Sequence, residues 1–203
     1  MKKYILTLAI VLGGLSLSAQ NFNRYFSFYY EPSAPLGDDA IAQDFSWWGG
    51  GFRYQYPIND QLYMGMELGW NSFSEYKQRT TYELENGAIT TDLYTYSHNI
   101  PLAVRTDYFV PVDGSIIPYV GLSVGAMYSD QSIYFSNYVI EDEAWGFMVR
   151  PQIGALIALD VARRQFVDVG LRYSWSNPDF RFMDEVESIQ YLGIHVGFTI
   201  PTY

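Results

Sequence analysis

The sequence predicts an all-β protein: a closed, eight-stranded antiparallel up-and-down transmembrane barrel of meander topology. Three observations carry the prediction. Aromatic residues make up 18% of the 203 residues and charged residues only 17%, where an ordinary soluble domain carries roughly 25% charged residues. Segment after segment alternates between large apolar side chains and small or polar ones, the period of a strand with two unlike faces. The connections between these segments alternate short and long, as they do in a barrel with tight turns on one side of a bilayer and long loops on the other.

The chain opens MKKYILTLAIVLGGLSLSAQ. Lys2 and Lys3 give a positive start, Ile5 to Leu12 form an apolar core too short to span a bilayer as a helix, and Leu17-Ser18-Ala19 ends it with small residues. This is the pattern of a secretory signal peptide cleaved after Ala19. Residues 1–19 are expected to be removed, leaving 20–203 as one barrel domain. No later stretch offers the ~18 uninterrupted apolar residues of a transmembrane helix. The net charge of −10 excludes a nucleic-acid partner, because phosphate contact needs clustered Lys and Arg. Cysteine is absent, which excludes disulfides, thiolate metal sites and cysteine nucleophiles.

The strands follow in order. Residues 24–30, RYFSFYY, form the first, and a polar stretch with Pro32, Pro35 and Gly37 follows. In 46–56 Trp48, Phe52, Tyr54 and Tyr56 share one face, while Trp47, Gly49, Gly51, Arg53 and Gln55 share the other. In 62–70 Met64, Met66, Leu68 and Trp70 oppose Gly65, Glu67 and Gly69. In 96–108 Ile100, Leu102 and Val104 oppose Asn99, Ala103, Arg105 and Asp107. Segment 118–128 sets Val120, Leu122 and Val124 against Gly121, Ser123 and Gly125, and 145–159 sets Phe147, Val149 and Ile153 against Arg150, Gln152 and Gly154. Segment 166–175 sets Val167, Val169 and Leu171 against Asp168, Gly170 and Arg172. The last, YLGIHVGFTI (191–200), sets Leu192, Ile194, Val196, Phe198 and Ile200 against Gly193, His195 and Gly197.

Short turns are expected at 57–60, 110–116 and 160–165, and long polar connections at 31–44, 73–94, 129–144 and 176–187. The short turns are assigned to the periplasm and the long loops to the cell exterior. Hydrocarbon cannot satisfy backbone polar groups, so only a closed sheet is tolerated there. The large apolar face meets lipid, and the small face points into an interior just wide enough for side chains. Trp47, Trp48, Trp70, Trp145 and Trp175 lie where strands meet long connections, the place of an aromatic girdle. Tyr54, Tyr56, Tyr108 and Phe166 flank the short turns and would form the opposite girdle.

The signal ending LSAQ, the eight alternating strands and the closing YLGIHVGFTIPTY resemble the small OmpA- and OmpX-type outer-membrane barrels. The likeness is to the outer membrane protein beta-barrel domain group of Bacteroidetes-like bacteria. It implies residence in the bacterial outer membrane among lipid and lipopolysaccharide. It also implies handling by the barrel-assembly machinery, which reads an aromatic-terminated last strand. Tyr203 occupies that position, and Pro201 departs from the usual alternation. The resemblance covers the whole mature chain and names no activity.

Inward positions carry Arg53, Glu67, Arg105, Asp107, Arg150, Asp168, Arg172 and His195, a near-neutral set. Buried charges persist when paired and hydrogen-bonded, so these are expected to plug the lumen. A narrow ion-conducting channel is the alternative. The sequence offers no nucleotide loop, metal cluster or catalytic triad, so no cofactor and no enzymatic activity are expected. A lipid A-modifying barrel enzyme is a third reading, resting on His98. Ser97 points to the opposite face from His98, and Ser72 or Ser74 reaches it only from the neighbouring strand.

Sixteen of the 22 acidic residues fall in the long connections, Glu31 and the run Glu141-Asp142-Glu143 among them. They read as a solvated surface, with divalent-cation bridging as the alternative. Within 73–94 the alternation continues on both sides of Asn86-Gly87, a strong two-residue hairpin signal. Residues 132–145 repeat the pattern around Ser136-Asn137. Both are expected to project as hairpins, offering a protein partner exposed strands to pair with.

Overall fold

The computed structural model describes residues 24–37, 40–84, 87–112, 114–136, 138–160, 165–181 and 186–202. The proposed leader 1–19, Tyr203, and the turn residues Asn86 and Asn137 lie outside them. The described residues form nine strands: β1 (Arg24–Tyr30), β2 (Ser33–Leu36), β3 (Trp48–Pro57), β4 (Leu62–Leu84), β5 (Gly87–Phe109), β6 (Ile116–Phe135), β7 (Tyr138–Asp160), β8 (Gln165–Pro178) and β9 (Ile189–Thr202). Every neighbouring pair is antiparallel, and β1 pairs with both β3 and β9, which closes the sheet.

Nine strands make eight staves because β1 and β2 are one stave. Tyr30 pairs with Val196 and Ser33 with Gly193, so the register on β9 runs unchanged through Glu31 and Pro32. The ladder continues there through Glu31 N–H donating to Gly49 O (2.9 Å) and Ile194 N–H donating to Pro32 O (3.0 Å). Pro32 has no N–H to give, and the strand is interrupted for that reason only. The expected long connection from 31 to 44 therefore begins about six residues later, after β2.

Alternation decides the two faces. Phe28, Phe52, Met66, Val104, Val120, Leu122, Phe147, Ile153, Ile194 and Phe198 all stand exposed on the outer wall. Arg53, Glu67, Arg105, Asp107, Arg150, Asp168, Arg172 and His195 all stand at 2% exposure or less inside it. A soluble barrel would have the reverse arrangement. The outer belt is apolar because its solvent is hydrocarbon, and the charged groups are internal because only there do partners exist.

The wall is uneven in height. β4, β5 and β7 each have 23 residues and β6 has 20, whereas β3 has 10 and β8 and β9 have 14. About 9–11 tilted residues cross a bilayer, so β4 to β7 rise well past the ring. In segments 73–94 and 129–144, expected as long connections with hairpin character, residues 73–84, 87–94, 129–135 and 138–144 are strand, paired from Leu84↔Gly87 and Phe135↔Tyr138 downward. The second hairpin turns at Ser136, whose φ of +53° is the left-handed geometry such turns require.

Two aromatic assignments change. Trp47 precedes β3 instead of joining its inward face; it is exposed and packs edge-on against Phe45 at 4.9 Å. Phe166 is buried rather than part of a girdle, because its even position in β8 shares the inward face with Asp168.

Candidate functional site

The lumen is filled in three layers. At the short-turn end Tyr119, Leu156 and Phe166 pack with Tyr25, Phe109 and Ile117. At the hairpin end Phe73, Met127, Met148 and Tyr191 pack with Ala42, Phe180, Val186 and Ile189. Ala42, Phe180 and Val186 come from the two connections that fold over the mouth, both of which (31–44 and 176–187) read as polar in sequence. Between the apolar layers lies the charge network.

Glu67 is the hub of that network. Its two oxygens accept from Arg105 Nη1 (2.9 Å) and Arg150 Nη1 (2.8 Å). Arg105 Nε also donates to Asp107 (2.7 Å), whose carboxylate accepts from Gln55 (2.6 Å) and Gln152 (2.9 Å) as well. Arg150 continues to Ser174 (2.8 Å) and to the Tyr191 hydroxyl (2.5 Å). Arg53 pairs with Asp168. Tyr119 donates its hydrogen to Asp168 (2.8 Å) and lies 2.9 Å from His195 Nε2, so His195 is the donor there and carries its hydrogen on Nε2.

Glu31 is the residue that sequence reasoning misplaced. It is buried at 1% exposure, and Arg172 Nη1 donates to it at 2.6 Å. Arg172 also lies over the Tyr29 ring at 4.5 Å. Four arginines then face four carboxylates, which explains how such a set is held out of water. Asp142, read as loop surface, also turns inward on β7. The glycines of the inner face make room: a Cβ on Gly193 would meet the Glu31 carboxylate, and one on Gly121 would meet Asp107 and Gln152. Gly121→Val should cost about 1–3 kcal/mol, visible as a lower midpoint of urea unfolding in lipid vesicles.

The outer rim carries a second arrangement. Trp48, Ser72, His98, Asp130 and Glu143 are successive cross-strand partners on β3 to β7. Ser72 Oγ lies 2.9 Å from His98 Nδ1, so the cross-strand approach left open in sequence is made. The Tyr96 ring stacks on His98, and Tyr128 donates to Glu143. Trp48, Trp70 and Trp145 stand exposed at this level, and Trp175 is half-buried. Two tiers higher, Tyr76, Tyr94, Tyr134 and Val139 form a row across β4 to β7. The Tyr94 hydroxyl is held above its ordinary range, first by local desolvation and then by Tyr76 and Asp92.

A closed ring with an apolar exterior, a polar interior and one set of short turns is the architecture of the outer-membrane β-barrels. Neisserial surface protein A shares the fold at 14% identity, over 89% of this chain and 97% of that one, with a TM-score of 0.53. A major outer membrane protein from Thermus thermophilus shares it at 12% identity, over 88% and 99%, with a TM-score of 0.51. No protein-family model matches the chain, and no curated protein matches it.

Proposed function

We propose that the protein is an integral outer-membrane barrel with a sealed lumen that presents its tall wall, β4 to β7, to a protein partner at the cell surface. Residues 1–19 serve as its cleaved signal, and the seven inward charges, His195 and Glu31 form its plug. The observation that carries the reading is the wall itself. Above Ser72, β4 has left β3, and above Gly146, β7 has left β8, so among the described residues a four-stranded sheet rises with no strand paired to either edge. Its outer face bears Tyr76, Tyr94 and Tyr134, all exposed. Open edges take a partner strand, and tyrosines supply rigid contact area.

Replacing Lys77–Leu93 with a two-residue turn tests this. The ring should fold unchanged, and the partner that co-purifies with the full-length protein in mild detergent should be lost. A full-length protein that is strictly monomeric at native expression would refute the reading. The channel alternative predicts discrete current steps in planar bilayers. The sealed barrel is expected to give a flat trace.

A further inference from the structure

The rim row supports a chemistry that the plugged barrel does not account for. A serine hydroxyl hydrogen-bonded to an imidazole nitrogen is the pairing that turns serine into a nucleophile, because the imidazole takes its proton as the oxygen attacks. Ser72 Oγ and His98 Nδ1 meet this at 2.9 Å. Asp130 is the cross-strand neighbour of His98 on β6, which places a carboxylate on the same outward row. Ser46 Oγ donates to the carbonyls of both Ser72 and Trp48, which fixes the backbone under the serine.

Directly below, on the membrane side, the wall opens into an apolar groove of about 820 Å³. Its floor is Gly50, and Phe28, Phe52, Trp70, Ile100 and Phe198 are among its walls. Trp70 and Ile100 sit two residues from Ser72 and His98 on the same outward faces. A groove inside the lipid-facing belt, headed by a serine–histidine pair at the rim, fits an acyl chain whose ester linkage lies at the headgroup level. We propose that this is a hydrolytic site for the O-acyl esters of outer-leaflet lipids.

The step balances as an ester hydrolysis. Ser72 Oγ bonds to the acyl carbonyl carbon and passes its proton to His98 Nδ1. The bond to the lipid alkoxyl oxygen breaks, and that oxygen takes the proton from His98. Water then attacks the acyl-serine with His98 as base. The fatty acid leaves, and Ser72 recovers its proton.

The inference rests on the membrane placement proposed above, and the test separates the two. Full-length mature protein is folded into vesicles of phosphatidylethanolamine and phosphatidylglycerol, and in parallel into vesicles containing lipopolysaccharide. Insertion is read by heat-dependent gel mobility, and released fatty acid by mass spectrometry. Release in one arm names the source, a glycerol ester or an acylated glucosamine. Ser72→Ala and His98→Ala should each lower release by roughly 10²-fold or more, while Ser74→Ala one tier higher should leave it unchanged. A fluorophosphonate probe should label the protein and fail on Ser72→Ala. An inserted barrel that releases no fatty acid in either arm, or one whose release survives Ser72→Ala, overturns the inference and leaves the placement standing. A chain that folds in plain buffer and never inserts overturns both.

Discussion

Glu67→Ala should destabilise the barrel by about 3–5 kcal/mol, the cost of leaving buried charge unpaired. The carboxylate is 1% exposed and accepts from two arginines, with Arg172 a third at 3.6 Å. Its removal leaves the hydrogen bonds of Arg150 among the described residues to Ser174 and Tyr191, both neutral. Arg105 keeps Asp107 and suffers less. Glu67→Gln preserves shape and should fall between alanine and wild type. Urea titration in lipid vesicles, followed by tryptophan fluorescence, reads the order directly. Equal stability of all three proteins would mean that the network is solvated and that the lumen holds water rather than a plug.

Val104→Arg should cost about 2–4 kcal/mol in a bilayer, the cost of arginine on the lipid face near the midplane. Val104 is half exposed in the ring-forming part of β5, midway between the rim residue His98 and the strand end at Phe109. The neighbouring Arg105 occupies the same depth at no such cost, because it faces the opposite way and finds Glu67 and Asp107. One step in register thus separates a tolerated arginine from a damaging one. In detergent micelles, where the side chain reaches water easily, the penalty should shrink. A penalty of the same size in micelles and vesicles would argue that Val104 packs against protein.

The ring was legible because hydrocarbon imposes a rule on every stave. Period-two alternation with grease on one face, and charge on the other, has few alternative solutions. The seven internal charges and His195 follow from parity alone. Glu31 was missed because Pro32 looks like the end of a strand. Yet Ser27, Tyr29, Glu31 and Ser33 keep perfect alternation, and the register across β9 does not slip. Reading parity through the proline would have found the fourth carboxylate. Phe166 was misjudged for the converse reason, since proximity to a turn outweighed its parity with Asp168. The Ser72–His98 pair depends on the stagger between β4 and β5. That stagger includes a register shift between Lys77 and Thr80 and is not written in either strand alone.

The route by which Glu31 reaches Arg172 has a consequence for biogenesis. The two residues are 141 positions apart, and they meet across the seam where the first stave joins the last. Until the N-terminal and C-terminal staves zip together, Arg172 lacks this counter-charge and the lumen carries one cation too many. An unclosed sheet is therefore penalised twice, by its bare edges and by its unbalanced interior. Neutralisation arrives only with completion, which makes the final stitch the moment the whole molecule becomes compatible with oil.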